Sequence, residues 1–72
     1  MKIKQGYIVD ESLRKAEVID NFLKKEMAGK EVKKIQIALM FKLPYNQRAL
    51  IYQILENKGY ANFHNHIVVP LS

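Results

Sequence analysis

Two glycines and a proline, Gly29, Pro44 and Gly59, constrain this chain more than any other feature. Each stops a helix, and together they cut the 72 residues into helical segments joined by short turns. Upstream of Gly29, the residues Leu13, Ala16, Ile19, Phe22, Leu23 and Met27 recur at the spacing of a helix that buries one face. Arg14, Lys15, Asp20, Asn21, Lys24 and Lys25 fall elsewhere on the wheel, and Asp20 precedes Lys24 by one turn, the favourable order for an ion pair. Asp10 or Ser12 can cap this helix, Glu11 suits its positive end, and Gly29 closes it in the left-handed conformation. A second helix is expected from Lys30 or Glu31, with Val32, Ile35, Ala38 and Leu39 inward and Lys33 and Lys34 in water. Its end, Ile37 through Phe41, is apolar nearly all round and must be covered on more than one side. Pro44 disfavours helix at Leu43 and suits the first turn of a third helix, with Asn46 as an alternative cap; that helix runs to about Lys58, where Gly59 ends it.

The remaining segments read as β. Residues 1–9 predict a short N-terminal strand, most strand-like at Tyr7-Ile8-Val9. Tyr60-Ala61-Asn62-Phe63 and His66-Ile67-Val68-Val69 predict a small hairpin or one strand, stopped by Pro70. The expectation is one mostly helical domain over residues 1–72 with a small β element. Such a chain can bury a single core, near the limit where burial offsets chain entropy. There is no cysteine to help and no cluster dense enough for structural zinc, which leaves tight helix packing or a homodimer through apolar surface of the second or third helix.

Composition excludes several classes of function. An apolar content of 49% opposes disorder, and the apolar stretches are too short and interrupted to cross a bilayer. Met1-Lys2-Ile3-Lys4-Gln5-Gly6 is not followed by the apolar core of a signal peptide, and the lack of cysteine fits a reducing, cytoplasmic setting. Glu17, Asp20 and Glu26 among the lysines of the first helix mark a soluble helix rather than one lying on a membrane. Phe22, Phe41 and Phe63 are spaced as core residues, not as a base-stacking platform. His64 and His66 would share one side of a strand but have no acidic or cysteine neighbour in sequence, so they read as surface residues rather than metal ligands. No nucleophile elbow, glycine loop or carboxylate pair accompanies Ser12, Ser72 or the histidines, so neither catalysis nor a cofactor is expected.

Charge points the other way. The net charge is +5 and the isoelectric point about 9.6, a bias toward polyanions. Ten of the twelve Lys and Arg residues precede Pro44, with Lys24, Lys25, Lys30, Lys33 and Lys34 crowded together, so the positive potential belongs to the first two helices. Two helices of about a dozen residues with a turn of roughly four between them match a helix-turn-helix, whose second helix reads bases in the major groove.

In this pattern the sequence resembles the winged-helix family, which adds a β element after the second of those helices. Phe41-Lys42-Leu43-Pro44-Tyr45-Asn46, followed by Leu55-Glu56-Asn57-Lys58-Gly59-Tyr60, is similar to the DNA-reading gamma domain of septal DNA translocases; the likeness spans about Lys34 to Tyr60. It implies a three-helix winged-helix-like domain in which Tyr45, Asn46, Gln47 and Arg48 open a recognition helix. Asn and Gln can pair with adenine, Arg with guanine, and Tyr with phosphate, while Lys30, Lys33 and Lys34 at the start of the preceding helix would hold the DNA backbone. The chain departs from that family in two places. Leu50, Ile51, Tyr52, Ile54 and Leu55 make the recognition helix apolar on almost every side, and the wing has no Lys or Arg, offering only Asn62, His64, Asn65 and His66. Both departures would be accounted for if the N-terminal strand and first helix cover that face, or if it is a dimer seam. The expected function is therefore duplex DNA binding by a small regulator. The alternatives are a protein-interaction module docking through the apolar third helix, or a plain three-helix core that Tyr45 to Arg48 merely cap and solubilise.

Overall fold

A computed structural model describes residues 4–71. The elements are α1 (Lys4–Glu26), β1 (Glu31–Lys33), α2 (Lys34–Met40), α3 (Tyr45–Asn57), β2 (Ala61–Asn62) and β3 (His66–Val68). The fold is mostly helical, about 60% of the chain, with a three-stranded antiparallel sheet in the order β1-β3-β2. Among the described residues no helix is long and apolar enough to cross a membrane.

From Lys4 on, helix α1 replaces the expected N-terminal strand; residues 1–3 of that expectation lie outside the described residues. Tyr7, Ile8 and Val9 favour strands only when a pleated neighbour receives them, and none of the three strands pairs with this segment. Continuing α1 upstream instead adds one backbone hydrogen bond per residue, enough to carry Gly6 inside the helix. The expected caps are displaced with it: Asp10 and Ser12 lie well within α1, and the Ser12 hydroxyl is buried with no hydrogen-bond partner among the described residues. Ala16, Ile19 and Leu23 do form the inner face of α1, and Asp20 pairs with Lys24 at 3.3 Å. Leu13 and Phe22, expected inside, stand about half out on the flanks of that face.

The second departure is β1. Glu31-Val32-Lys33 runs opposite Val68, Ile67 and His66, with Val32 alone turned into the core. Gly29 N–H donates to the Val69 carbonyl at 2.9 Å and Val69 N–H to the Lys30 carbonyl at 2.8 Å, extending the pairing upstream. Helix α2 therefore starts four residues later than Lys30, and its inner face becomes Ile37 and Ala38, while Ile35 and Leu39 are turned outward. Gly29 sits at φ +77, a left-handed conformation that L side chains rarely adopt, so its conformational freedom is used.

One core joins all three helices to the sheet. Ile37, Leu43, Ile51, Leu55, Tyr60, Ile67 and Val69 close around Ile19 and Leu23, with Met27, Phe41 and Ile54 packed against them. Helix α1 lies mainly against α3. It covers part of the apolar surface that the sequence left unexplained on α3: Ile51 and Leu55 are fully buried, and Leu50 and Ile54 are half-buried. Tyr60 ties the hairpin to α1 by donating its hydroxyl to Asp20 Oδ1 at 2.8 Å. Burial, with that hydrogen bond and the Asp20 charge adding to it, raises the Tyr60 hydroxyl well above its ordinary pKa and keeps it a donor.

Both α2 and α3 end in the same turn. After α3, Tyr60 N–H reaches the Leu55 carbonyl and Gly59 N–H the Glu56 carbonyl; after α2, Leu43 N–H reaches the Ala38 carbonyl and Lys42 N–H the Leu39 carbonyl. This is the Schellman arrangement, which requires a left-handed residue just past the helix. Gly59 supplies it at φ +109 and Lys42 at φ +54. The turn at Lys42 swings Leu43 into the core and delivers Pro44 to the start of α3.

Candidate nucleic-acid interface

A concavity of about 890 Å³ opens where the first turns of α3 face the tip of the β2-β3 hairpin. Tyr45, Arg48, Ala49 and Tyr52 line it from α3, at the i, i+3, i+4, i+7 spacing of one helix face. Lys33 enters from the end of β1, Lys34 and Ile35 from the start of α2, and His64 and Asn65 from the hairpin tip. No carboxylate among the described residues lines the groove.

Backbone hydrogen bonds hold these four elements in register. Lys34 N–H donates to the Asn65 carbonyl at 2.9 Å, and the Tyr52 hydroxyl donates to the Lys34 carbonyl at 2.9 Å. With its peptide fixed from both sides, Lys34 holds its ammonium 5.1 Å from the centroid of the Tyr52 ring. Burial lifts the Tyr52 hydroxyl above its ordinary pKa of 10, partly opposed by the positive charge of Arg48, so the phenol remains the donor that this contact requires. Arg48 is positioned by its own hydrogen bond, Nε to the Leu43 carbonyl at 3.1 Å, and its guanidinium lies 5.6 Å from the Tyr45 ring centroid. That geometry engages one of its five donors, leaving the outer N–H groups for an anion. The site thus offers three cations backed by two tyrosine rings.

Four of the seven residues singled out from sequence meet here: Lys33, Lys34, Tyr45 and Arg48. The other three do not line the groove. Lys30 stands three residues upstream of Lys33, about 10 Å away along an extended strand, at the end of the ladder beside Val69. It precedes β1 and is not at the start of a helix, whereas Lys33, the last residue of β1, is also the N-cap of α2. Gln47 is a clear correction. It is only 6% exposed, and its Oε1 accepts from Lys15 Nζ at 3.1 Å, so α1 occupies the side of α3 from which Gln47 would have read a base. Asn46 is exposed, about 100° around the helix from Tyr45, on the rim rather than in the groove.

The structure adds Tyr52 to the set, a residue the sequence presented only as part of an apolar run. Its signal was the seven-residue step from Tyr45, which places both rings on one face. Of the wing residues, His64 and Asn65 line the groove, whereas His66 stacks on Phe63 with centroids 4.8 Å apart and faces Glu31 at 3.9 Å. Compared with family models, curated proteins and solved structures, the chain matches none.

Proposed function

We propose that this chain binds duplex DNA, with α3 presented to the major groove and the basic concavity gripping the adjoining phosphate backbone. The observation that carries this reading is the convergence of Lys33, Lys34 and Arg48, from three different elements, on one groove with no lining carboxylate among the described residues. A polyanion is what such a surface favours. The element order α1-β1-α2-α3-β2-β3, with only Phe41–Pro44 between α2 and α3 and a hairpin after α3, is what a winged helix-turn-helix calls for and supports the resemblance read over residues 34–60. In this reading the cations and the Tyr45 hydroxyl hold phosphates and set the register of α3, while Asn46, the exposed amide at its first turn, reaches a base edge. His64 and Asn65 close the groove from the hairpin as neutral hydrogen-bonding groups.

Selection from a pool of random duplexes tests the proposal. Enrichment of a common site by the full chain, with retention on bulk DNA at low salt, is the expected result; no retention at low salt contradicts it. A protein-docking role is the second reading, and exposed apolar residues support α2 rather than α3 as its seat. Ile51, Tyr52 and Leu55 of α3 are buried, whereas Ile35, Leu39 and Met40 of α2 are 54%, 69% and 48% exposed.

A further inference from the structure

The outer face of α1 is a second surface, apart from the groove. Glu11, Val18 and Lys25 follow one another at seven-residue steps, two turns each, and so lie along one line of the helix. Val18 is 57% exposed at the middle of that line. Phe22, one turn on, presents its ring edge-on to Phe41 at 5.7 Å. Between α1 and Phe41 runs a shallow apolar groove of about 290 Å³, rimmed by Glu11, Arg14 and Lys15. Neighbouring charges are matched inside the chain, Asp20 with Lys24 and Glu17 with Lys58, but neither Glu11 nor Lys25 is in an ion pair among the described residues.

We propose that this face pairs with the same face of a second copy, the two α1 helices running antiparallel across a two-fold axis through Val18. Each residue then meets the one equally far on the other side of Val18. Glu11 meets Lys25 of the second copy, and Arg14 meets Phe22, a cation against an aromatic ring; the symmetry makes each contact twice. The charges select both direction and register. A parallel pair would set Glu11 against Glu11 and Lys25 against Lys25. Sliding the antiparallel pair by one residue would bring Glu11 opposite either Glu26 or Lys24, and Lys24 is already held by Asp20. The exposed Val18 and the groove beside Phe41 supply the apolar centre that surface charge alone would lack.

Sedimentation equilibrium over a concentration series tests this with four proteins. The wild-type chain is expected to approach twice its mass of 8.4 kDa, and Val18→Glu to remain a monomer. Glu11→Lys and Lys25→Glu each place like charges face to face twice, which raises the dimer dissociation constant about tenfold. An equimolar mixture of those two variants restores opposite charges at both positions and should dimerise as the wild type does. Recovery on mixing cannot arise from misfolding, since each variant alone would carry the same fault. A wild-type chain that stays monomeric leaves the face to another kind of partner and overturns the proposal. So does a dimer indifferent to Glu11→Lys, which would place the seam elsewhere, for instance on Ile35 and Leu39.

Discussion

On α3, Ile51 and Leu55 are fully buried, yet Tyr45 at the head of the same helix is 85% exposed and shares its face with Arg48, Ala49 and Tyr52. One face is answered by α1 and the sheet. The other is answered, among the described residues, only by the cations and the hairpin tip that surround it. Gln47 and Asn46 mark the divide: adjacent in sequence and alike in chemistry, one amide is used up by Lys15 inside the molecule and the other stands at the surface. The first turn of this helix therefore has no single role. Burial and exposure are assigned residue by residue, by where α1 lies.

The largest effect that separates the two faces should come from the inner one. Ile51→Ala removes a fully buried side chain at the junction of α1, α3 and the sheet, and is expected to cost roughly 2–5 kcal/mol, a large share of the stability of so small a domain. Urea denaturation would measure it, and the fraction still folded should bind DNA with unchanged affinity. A smaller and sharper contrast lies at the divide. Asn46→Ala should leave stability nearly unchanged and weaken discrimination at one base position by about 1–3 kcal/mol. Gln47→Ala should do the reverse, losing about 1 kcal/mol of stability with its bond to the Lys15 ammonium and leaving base preference intact. Equal effects of the two on selected sites would erase the distinction between the faces. The smallest effect concerns the turn that sets the approach of α3. Lys42→Gly relieves a left-handed lysine and should stabilise the fold by up to about 1 kcal/mol, visible as a rise in the thermal midpoint with no change in binding.

That turn also explains what could be read in advance. Gly59 and Lys42 close their helices by the same hydrogen bonds, but only glycine advertises the left-handed position, so the end of α3 was legible and the end of α2 was found only through Pro44. The three helices, the Asp20–Lys24 pair and the hairpin follow from local pattern. Strand β1 does not, because Glu31-Val32-Lys33 is too short to distinguish a strand from a helix start, and its partner His66-Ile67-Val68 lies more than thirty residues away. The expected N-terminal strand shows the reverse case, since Tyr7-Ile8-Val9 has β-forming side chains yet pairs with no strand of the β1-β3-β2 sheet and continues α1 instead. The groove was legible where charge carries it, at Lys33, Lys34 and Arg48. Gln47 and Lys30 were misplaced because their positions depend on the docking of α1 and on the β1-β3 ladder, both non-local.

The proposed DNA binding rests on Lys33, Lys34 and Arg48 acting together on the phosphates of a duplex. Their joint action is read from the dependence of duplex affinity on salt, by fluorescence anisotropy, for the wild-type chain and for Lys33→Ala/Lys34→Ala/Arg48→Ala. Three phosphate contacts predict a log–log slope of about −3 for the wild type if they act alone, and a slope shallower by about 2–3 for the triple variant. A triple variant that binds duplex as tightly as the wild type, and with the same slope, would refute a phosphate-gripping role for this groove.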